Sequence, residues 1–281
     1  MEIFKKIAPL KVYLEEIRRS GKTIGLVPTM GALHNGHLAL IGESKAQNSY
    51  TICSIYVNPM QFNNPADLQK YPRTLDQDIK LLSAAGCDAI FCPDNDEMYE
   101  GKSVLKFDFG DSDKVMEGKY RPGHFSGVAL VVSKLFNIVN PNNAYFGQKD
   151  WQQFAVIQQV VLELKFGLTL HSIPTLRETD GLAMSSRNLR LNGMQRQQAT
   201  TFYNALRLAK ENLKKGEEIA SVKRSVKKIV EGVEGVTLEY FEVAESSSLD
   251  LLEAVDGAKA PILCIAGYVG EIRLIDNMFL N

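Results

Sequence analysis

The chain has 281 residues, 45% of them hydrophobic and 23% charged, enough to bury one large core or two modest ones. A net charge of -1 argues against a broad basic surface for nucleic acid, and no apolar run approaches the length of a membrane span. The N-terminal stretch MEIFKKIAPLKVYLEEIRRS lacks the apolar centre of a secretory leader, and Cys53, Cys87, Cys92 and Cys264 lack metal-type spacing, so four reduced thiols in a cytoplasmic protein are expected.

In chain order, Leu10, Leu14 and Ile17 form a helical stripe that Gly21 ends. TIGLV reads as a short buried strand, HLALIGESKAQN as a helix, and YTICSIYV as a strand whose continuous apolar run suits a parallel sheet covered on both faces. A loop rich in Asn and Pro follows, NPMQFNNPADLQKYPRT. LDQDIKLLSAAG is then a helix, with Thr74 as its cap and Gly86 as its stop. DAIFC is a strand and SVLKFDF another; FSGVALVVSKLFNIV is a helix, AYF a strand, DWQQFAVIQQVVLEL a helix and LTLHSIPT a strand. This alternation predicts a Rossmann-like, doubly wound parallel α/β sheet over residues 1–175.

Beyond RETDGLAMSSRN the rhythm changes. Helical patterns over 193–214 and 217–233 precede three strand-like runs, TLEYFEV, PILCIAGYV and EIRLIDN. They predict a smaller α+β domain over 176–281. Lys210, Lys214, Lys215, Lys223, Arg224, Lys227 and Lys228 interleave with acidic residues at helical spacing, as on a solvated helix face.

Three clusters carry chemistry. In VPTMGALHNGHLALI, His34, Gly36 and His37 fall where the first strand of the sheet hands over to a helix. That edge is where ligands sit in open α/β sheets, and a helix N-terminus favours phosphate. Gly36 offers bare backbone to a flat base or ribose, and Gly31 allows a tight approach of the same kind. In YFGQKDWQQF, Gly147, Gln148, Lys149 and Asp150 again lie between strand and helix. Asp150 suits a helix cap, but a cation at a helix start is disfavoured by the dipole, so Lys149 implies an anion nearby. In DGLAMSSRNLRL, Met184, Ser185, Ser186 and Arg187 make a hydroxyl-rich, cationic loop able to grip phosphate; an ordinary interdomain loop capped at Ser186 or Asn188 is equally open.

The His-x-Gly-His of His34–His37 resembles the signature of the nucleotidyltransferase and class I aminoacyl-tRNA synthetase superfamily, and Met184–Arg187 resembles its mobile second signature. Six blocks in order (VPTMGALHNGHLAL, YVNPMQFN, YPRTLDQD, YRPGHFSGV, YFGQKDWQQ and RETDGLAMSSRN) resemble the pantothenate synthetase (pantoate–β-alanine ligase) family, the likeness weakening after about residue 195. The resemblance implies an AMP-forming ligase. Pantoate would attack the α-phosphate of ATP, and the amine of β-alanine would then attack the resulting pantoyl adenylate. It implies an ATP site of Met30, His34, Gly36, His37, Gly147, Gln148, Lys149, Asp150, Leu176, Met184, Ser185, Ser186 and Arg187. Within that set His37, His34, Lys149 and Arg187 would stabilise charge, Asp150 would hold the ribose, and Leu176 would lie near the adenine. Gln61 and Gln153 would bind pantoate, while Asn58 and Arg121 would contact substrate or intermediate. Mg²⁺ would accompany ATP. Asp76 and Asp78 are its acidic candidates, but Gln77 interrupts them, so phosphate and water are expected to supply most ligands. A homodimer is implied, and residues from about 176 on would form a lid. Two other readings stay open: a cytidylyltransferase-like enzyme, and a non-catalytic nucleotide-binding module.

Overall fold

The computed structural model describes residues 1–101 and 103–281. In chain order its main elements begin with β1 (Glu2–Phe4), α1 (Ile7–Arg19), β2 (Ile24–Thr29), α2 (Asn35–Gln47) and β3 (Tyr50–Ile55). Then come α3 (Pro65–Lys70), α4 (Leu75–Ala84), β4 (Ala89–Phe91), α5 (Asn95–Met98), α6 (Met116–Tyr120) and α7 (His124–Val139). β5 (Asn143–Gly147), α8 (Trp151–Glu163) and β6 (Thr169–Ile173) complete the sheet region. The last elements are α9 (Gly193–Gln198), α10 (Thr200–Lys214), α11 (Ile219–Glu231), β7 (Val236–Glu245), β8 (Pro261–Val269) and β9 (Ile272–Phe279). No helix among the described residues is long and apolar enough to cross a membrane.

Two compact units divide these elements. Unit 1 is Met1–Phe109, Arg121–Gln148 and Val156–Pro174; unit 2 is Gly110–Tyr120, Lys149–Ala155 and Thr175–Asn281. Two short segments from within the first 175 residues therefore group with the C-terminal sheet, and the division passes through α8.

Unit 1 carries a six-stranded sheet of order β1-β4-β3-β2-β5-β6 with every pairing parallel. Its central strands are buried almost throughout, which is why β2 and β3 read as unbroken apolar runs. Val27, Cys53 and Ile90 pack one sheet face against Leu40 and Ile41 of α2 and Leu82 of α4. α7 lies against β2, and α1 against α7. The chain leaves β2 toward β3 on one side and returns to place β5 on the other. The order reverses at β2, so the loops after β2 and β5 leave the sheet side by side.

Unit 2 is an antiparallel β7-β8-β9 meander packed against α10 and α11. Phe202, Leu206 and Leu213 of α10 and Val222, Val226 and Val230 of α11 fill the space over Val243, Leu263 and Ile265. On the other sheet face Met116 and Trp151 pack with Tyr240, Ile262 and Cys264. Arg273 of β9 there bridges two carboxylates, donating to Glu117 at 2.7 and 2.9 Å and to Glu239 at 2.9 Å through Nε, with a closer contact through Nη2. This tie explains why Gly110–Tyr120 belongs to the second unit.

Several expectations need correction. SVLKFDF is not a strand: residues 103–109 run as a loop, with Val104 88% and Leu105 60% exposed. The helix expected over 193–214 is two helices, α9 and α10, meeting at Ala199. Thr74 stands at the start of α4, but its hydroxyl donates to Asp78 rather than capping a backbone N–H. β1, α3, α5 and α6 are too short for periodicity to show.

Candidate active site

The stretch between β2 and α2 is a turn in which four successive backbone N–H groups are captured by side chains. Thr29 Oγ1 accepts from Gly31 N at 3.3 Å. The Asp78 carboxylate accepts from Ala32 N at 3.0 Å and Leu33 N at 2.8 Å. His37 Nδ1 then accepts from His34 N at 3.3 Å, and His34 Nδ1 from Gly36 N at 3.2 Å. The two histidines thus cap α2 reciprocally, their ring centroids 4.1 Å apart. An Nδ1 that accepts carries no proton, so in each neutral ring the proton sits on Nε2, making Nε2–H the donor. The motif is therefore structural at Nδ1 of both rings. Gly31 has φ +80°, and a Cβ there would lie 3.0 Å from Asp78 Oδ2, so the turn requires glycine.

A second group on the same unit surrounds Gln61. Its amide donates to Met30 Sδ at 3.2 Å and accepts from Asn58 Nδ2 at 3.2 Å; its backbone carbonyl bonds His124 Nδ1 at 2.8 Å. Asn58 is held in turn by the Tyr99 hydroxyl at 2.9 Å and by the carbonyl of Gly127 at 3.1 Å. Burial pushes the Tyr99 phenol up to about 12, so it remains a neutral donor. The backbone of Met60–Gln61 presses on α7 so closely that a Cβ on Gly127 would meet Met60 O at 2.2 Å. Gln61 and Asn58 are both buried, fixed amides rather than mobile loop side chains.

Unit 2 carries the third set. Lys149 is mostly buried; its Nζ lies 3.8 Å from Asp150, and its carbonyl accepts from Asn277 Nδ2 at 2.7 Å. A narrow pocket is lined by Lys149, Ser185, Asn188 and Asp276. Arg177 grips Asp276 in a fork at 2.6 and 2.9 Å, and the bridge between Arg177 and Ala183, with Met184 N donating to Leu176 O at 3.0 Å, presents the loop that follows. Ser185, not Ser186 or Asn188, is the cap there, accepting from Arg187 N at 3.2 Å. Ser186 is buried.

The structure therefore brings together Met30, Asn58 and Gln61 in unit 1, and Lys149 with Ser185 in unit 2. Gly147, Gln148 and Arg121 fall in unit 1; Asp150, Gln153, Leu176, Met184 and Arg187 in unit 2. The acidic pair named as metal candidates lies in two different settings. Asp76 is exposed, while Asp78 is buried with both oxygens engaged by the turn. Among the described residues no group of three or more His, Cys, Asp or Glu could hold a metal ion. Sequence reasoning missed Asp78, Tyr99, His124, Arg177 and Asp276 as supports. His124 lay inside the quoted block YRPGHFSGV and Arg177 opens the block RETDGLAMSSRN, but Asp276, 99 residues further along the chain, leaves no local signal of their pairing.

A family model described as Pantoate-beta-alanine ligase matches residues 2–279. A pantothenate synthetase of Cytophaga hutchinsonii is 45% identical over 98% of the chain and 97% of that protein, and one of Carboxydothermus hydrogenoformans 47% identical over 100% and 99%. Among solved structures, pantothenate synthetase from Thermus thermophilus superposes with a TM-score of 0.93 at 37% identity, covering 100% of this chain and 99% of that one. Pantoate-beta-alanine ligase from Francisella tularensis, complexed with β-γ ATP and β-alanine, does so at 0.84 and 35% identity, covering 100% and 98%.

Proposed function

The chain belongs to the pantoate–β-alanine ligase family and condenses pantoate with β-alanine to give pantothenate, and on that premise we propose how its residues divide the ATP-dependent reaction. In the first step a pantoate carboxylate oxygen bonds to the α-phosphorus of ATP; the bond to the bridging oxygen breaks and pyrophosphate leaves with the electron pair. In the second, the β-alanine amine bonds to the acyl carbon, AMP leaves, and the amine gives up a proton.

The Nε2–H groups of His34 and His37 donate to phosphate oxygens as charge builds, their rings already oriented by the caps on Nδ1. Gly36, at the start of the same helix, has no side chain to keep the nucleotide from the backbone, while its N–H is held by His34 Nδ1. In this reading Lys149 and Arg187 add cationic charge, Ser185 and Ser186 hydroxyl donors, and Gly147 and Gln148 backbone and amide contacts. Asp150 holds the ribose, Leu176, Met184 and Met30 give apolar contact, Gln61 and Gln153 bind pantoate, and Asn58 and Arg121 serve the substrate or intermediate. Residues from about 176 on, which carry the Met184–Arg187 loop, are the proposed lid. ATP enters as its Mg²⁺ complex, with phosphate and water supplying most of the ligands.

The reciprocal histidine caps at the carboxyl edge of β2 carry this reading. Mass spectrometry of products from ATP, Mg²⁺, pantoate and β-alanine tests it: pantothenate and AMP are expected, and pyrophosphate in a single turnover when β-alanine is left out. Products containing ADP, or no pyrophosphate without β-alanine, would remove the adenylate. The cytoplasm is the proposed compartment, supported by four free cysteines, and a homodimer the proposed assembly, supported by family likeness.

A further inference from the structure

We infer that Asp78 is a positioning residue for the adenylation step: an anionic clamp that holds the Gly31–Leu33 turn and, through it, the phosphate-facing histidines. The carboxylate is 1% exposed and receives Ala32 N and Leu33 N on its two oxygens, at 3.0 and 2.8 Å. The Thr74 hydroxyl donates to Oδ1 at 3.2 Å and anchors the clamp to the first turn of α4.

What the clamp holds is otherwise unfavourable. Ala32 sits at φ +49°, in the left-handed region that a non-glycine residue avoids, directly after Gly31 at φ +80°. Two successive N–H groups turned toward one side form a concavity that attracts an anion, and here the anion is built into the chain. Without it Ala32 can relax to negative φ. The backbone N–H of His34, which fixes the tautomer of His37, follows two residues later, and Met30, which touches Gln61, lies two residues before. One buried carboxylate thus sets the angle at which the β2 edge meets α2. The same turn and Asp78 line a cleft of about 350 Å³ with Tyr56, Arg73 and Asn95, so the clamp is one wall of an open space rather than part of a sealed core.

The inference rests on the reading of His34 and His37 as phosphate donors, and its test separates the two. In isotope-labelled, ligand-free protein the amide protons of Ala32 and Leu33 should exchange slowly and resonate downfield, as donors to a buried carboxylate do. In Asp78→Asn, which keeps one acceptor oxygen, and in Asp78→Ala, which keeps none, these signals should move upfield and exchange faster. Pyrophosphate release per folded molecule should fall about 10²-fold in Asp78→Ala, the scale of a small misplacement of reacting groups, and less in Asp78→Asn. The Mg²⁺ concentration for half-maximal activity should not change in either. A folded Asp78→Ala with wild-type kcat overturns the inference. So does a tenfold rise in the Mg²⁺ requirement with unmoved Ala32 and Leu33 signals, which would make Asp78 a metal ligand. If neither variant folds, exchange at an open-loop rate for Ala32 and Leu33 in the unaltered protein overturns it, and slow exchange upholds it. Shifted amides with unchanged chemistry would make Asp78 a support of the turn alone and overturn its positioning role, while the phosphate reading stands or falls separately with His37→Ala.

Discussion

At the scale of single residues, one side chain often serves both architecture and chemistry. His37 is the clearest case, since its Nδ1 holds the backbone of His34 while its Nε2–H is the proposed phosphate donor. His37→Ala should slow pyrophosphate release by roughly 10²–10³-fold, the loss expected for one preorganised donor. It should also cost about 1 kcal/mol of stability for the lost cap, seen as a shift in the urea midpoint. A stability loss with near-normal pyrophosphate release would assign His37 to the cap alone. Asn58 is a gentler probe, because it touches Gln61 and is itself held by Tyr99. Asn58→Ala frees the Gln61 amide and leaves Tyr99 without its acceptor, at about 1–3 kcal/mol. Calorimetry should show pantoate affinity weakened and ATP affinity nearly normal; equal loss of both would point to general unfolding of the loop.

At the scale of elements, short polar ties set the loops between helices and strands. The turn before the Met184–Arg187 loop is closed by Arg196, whose guanidinium grips Asp180 at 2.7 and 3.1 Å and holds that carboxyl below the usual carboxylate range. A carboxyl with a lowered folded-state pKa stabilises above its unfolded value, near ~4, and that stabilisation disappears as pH falls through the folded value. The pair is partly exposed, so screening keeps its contribution small. Asp180→Asn should therefore be slightly less stable than the natural chain at neutral pH, and urea midpoints should converge in acid; a gap that persists in acid would mean another cause. The buried tie of Arg273 to Glu117 and Glu239 should matter more. Glu117→Ala leaves a largely buried cation short of a partner, and about 3–5 kcal/mol is expected from thermal or urea unfolding.

At the scale of the whole molecule, the chain forms two compact units, and their boundary crosses the YFGQKDWQQF block between Gln148 and Lys149 and again within α8. Arg187 lies in unit 2 beside the Ser185 cap. If it stabilises phosphate charge, Arg187→Ala should slow the start from ATP and pantoate in single-turnover kinetics. Attack of β-alanine on preformed pantoyl adenylate should proceed nearly as before, because pyrophosphate has already gone. Equal slowing from both starts would make Arg187 a structural support of its loop.

Periodicity alone was sufficient for the doubly wound sheet apart from its short edge strand β1, for the helical character of α10 and α11, and for the three strands of unit 2, because each buries a face that repeats within a few residues. The motif blocks were sufficient for the family, because residues serving one reaction keep their order along the chain. Tertiary structure alone decided that SVLKFDF is a loop, since a strand needs a neighbour and periodicity does not supply one. It also decided that Asp78 accepts from the backbone of a turn 45 residues away in sequence. A carboxylate reads the same in sequence whether a cation or two backbone N–H groups neutralise it; only its neighbours in space distinguish the two.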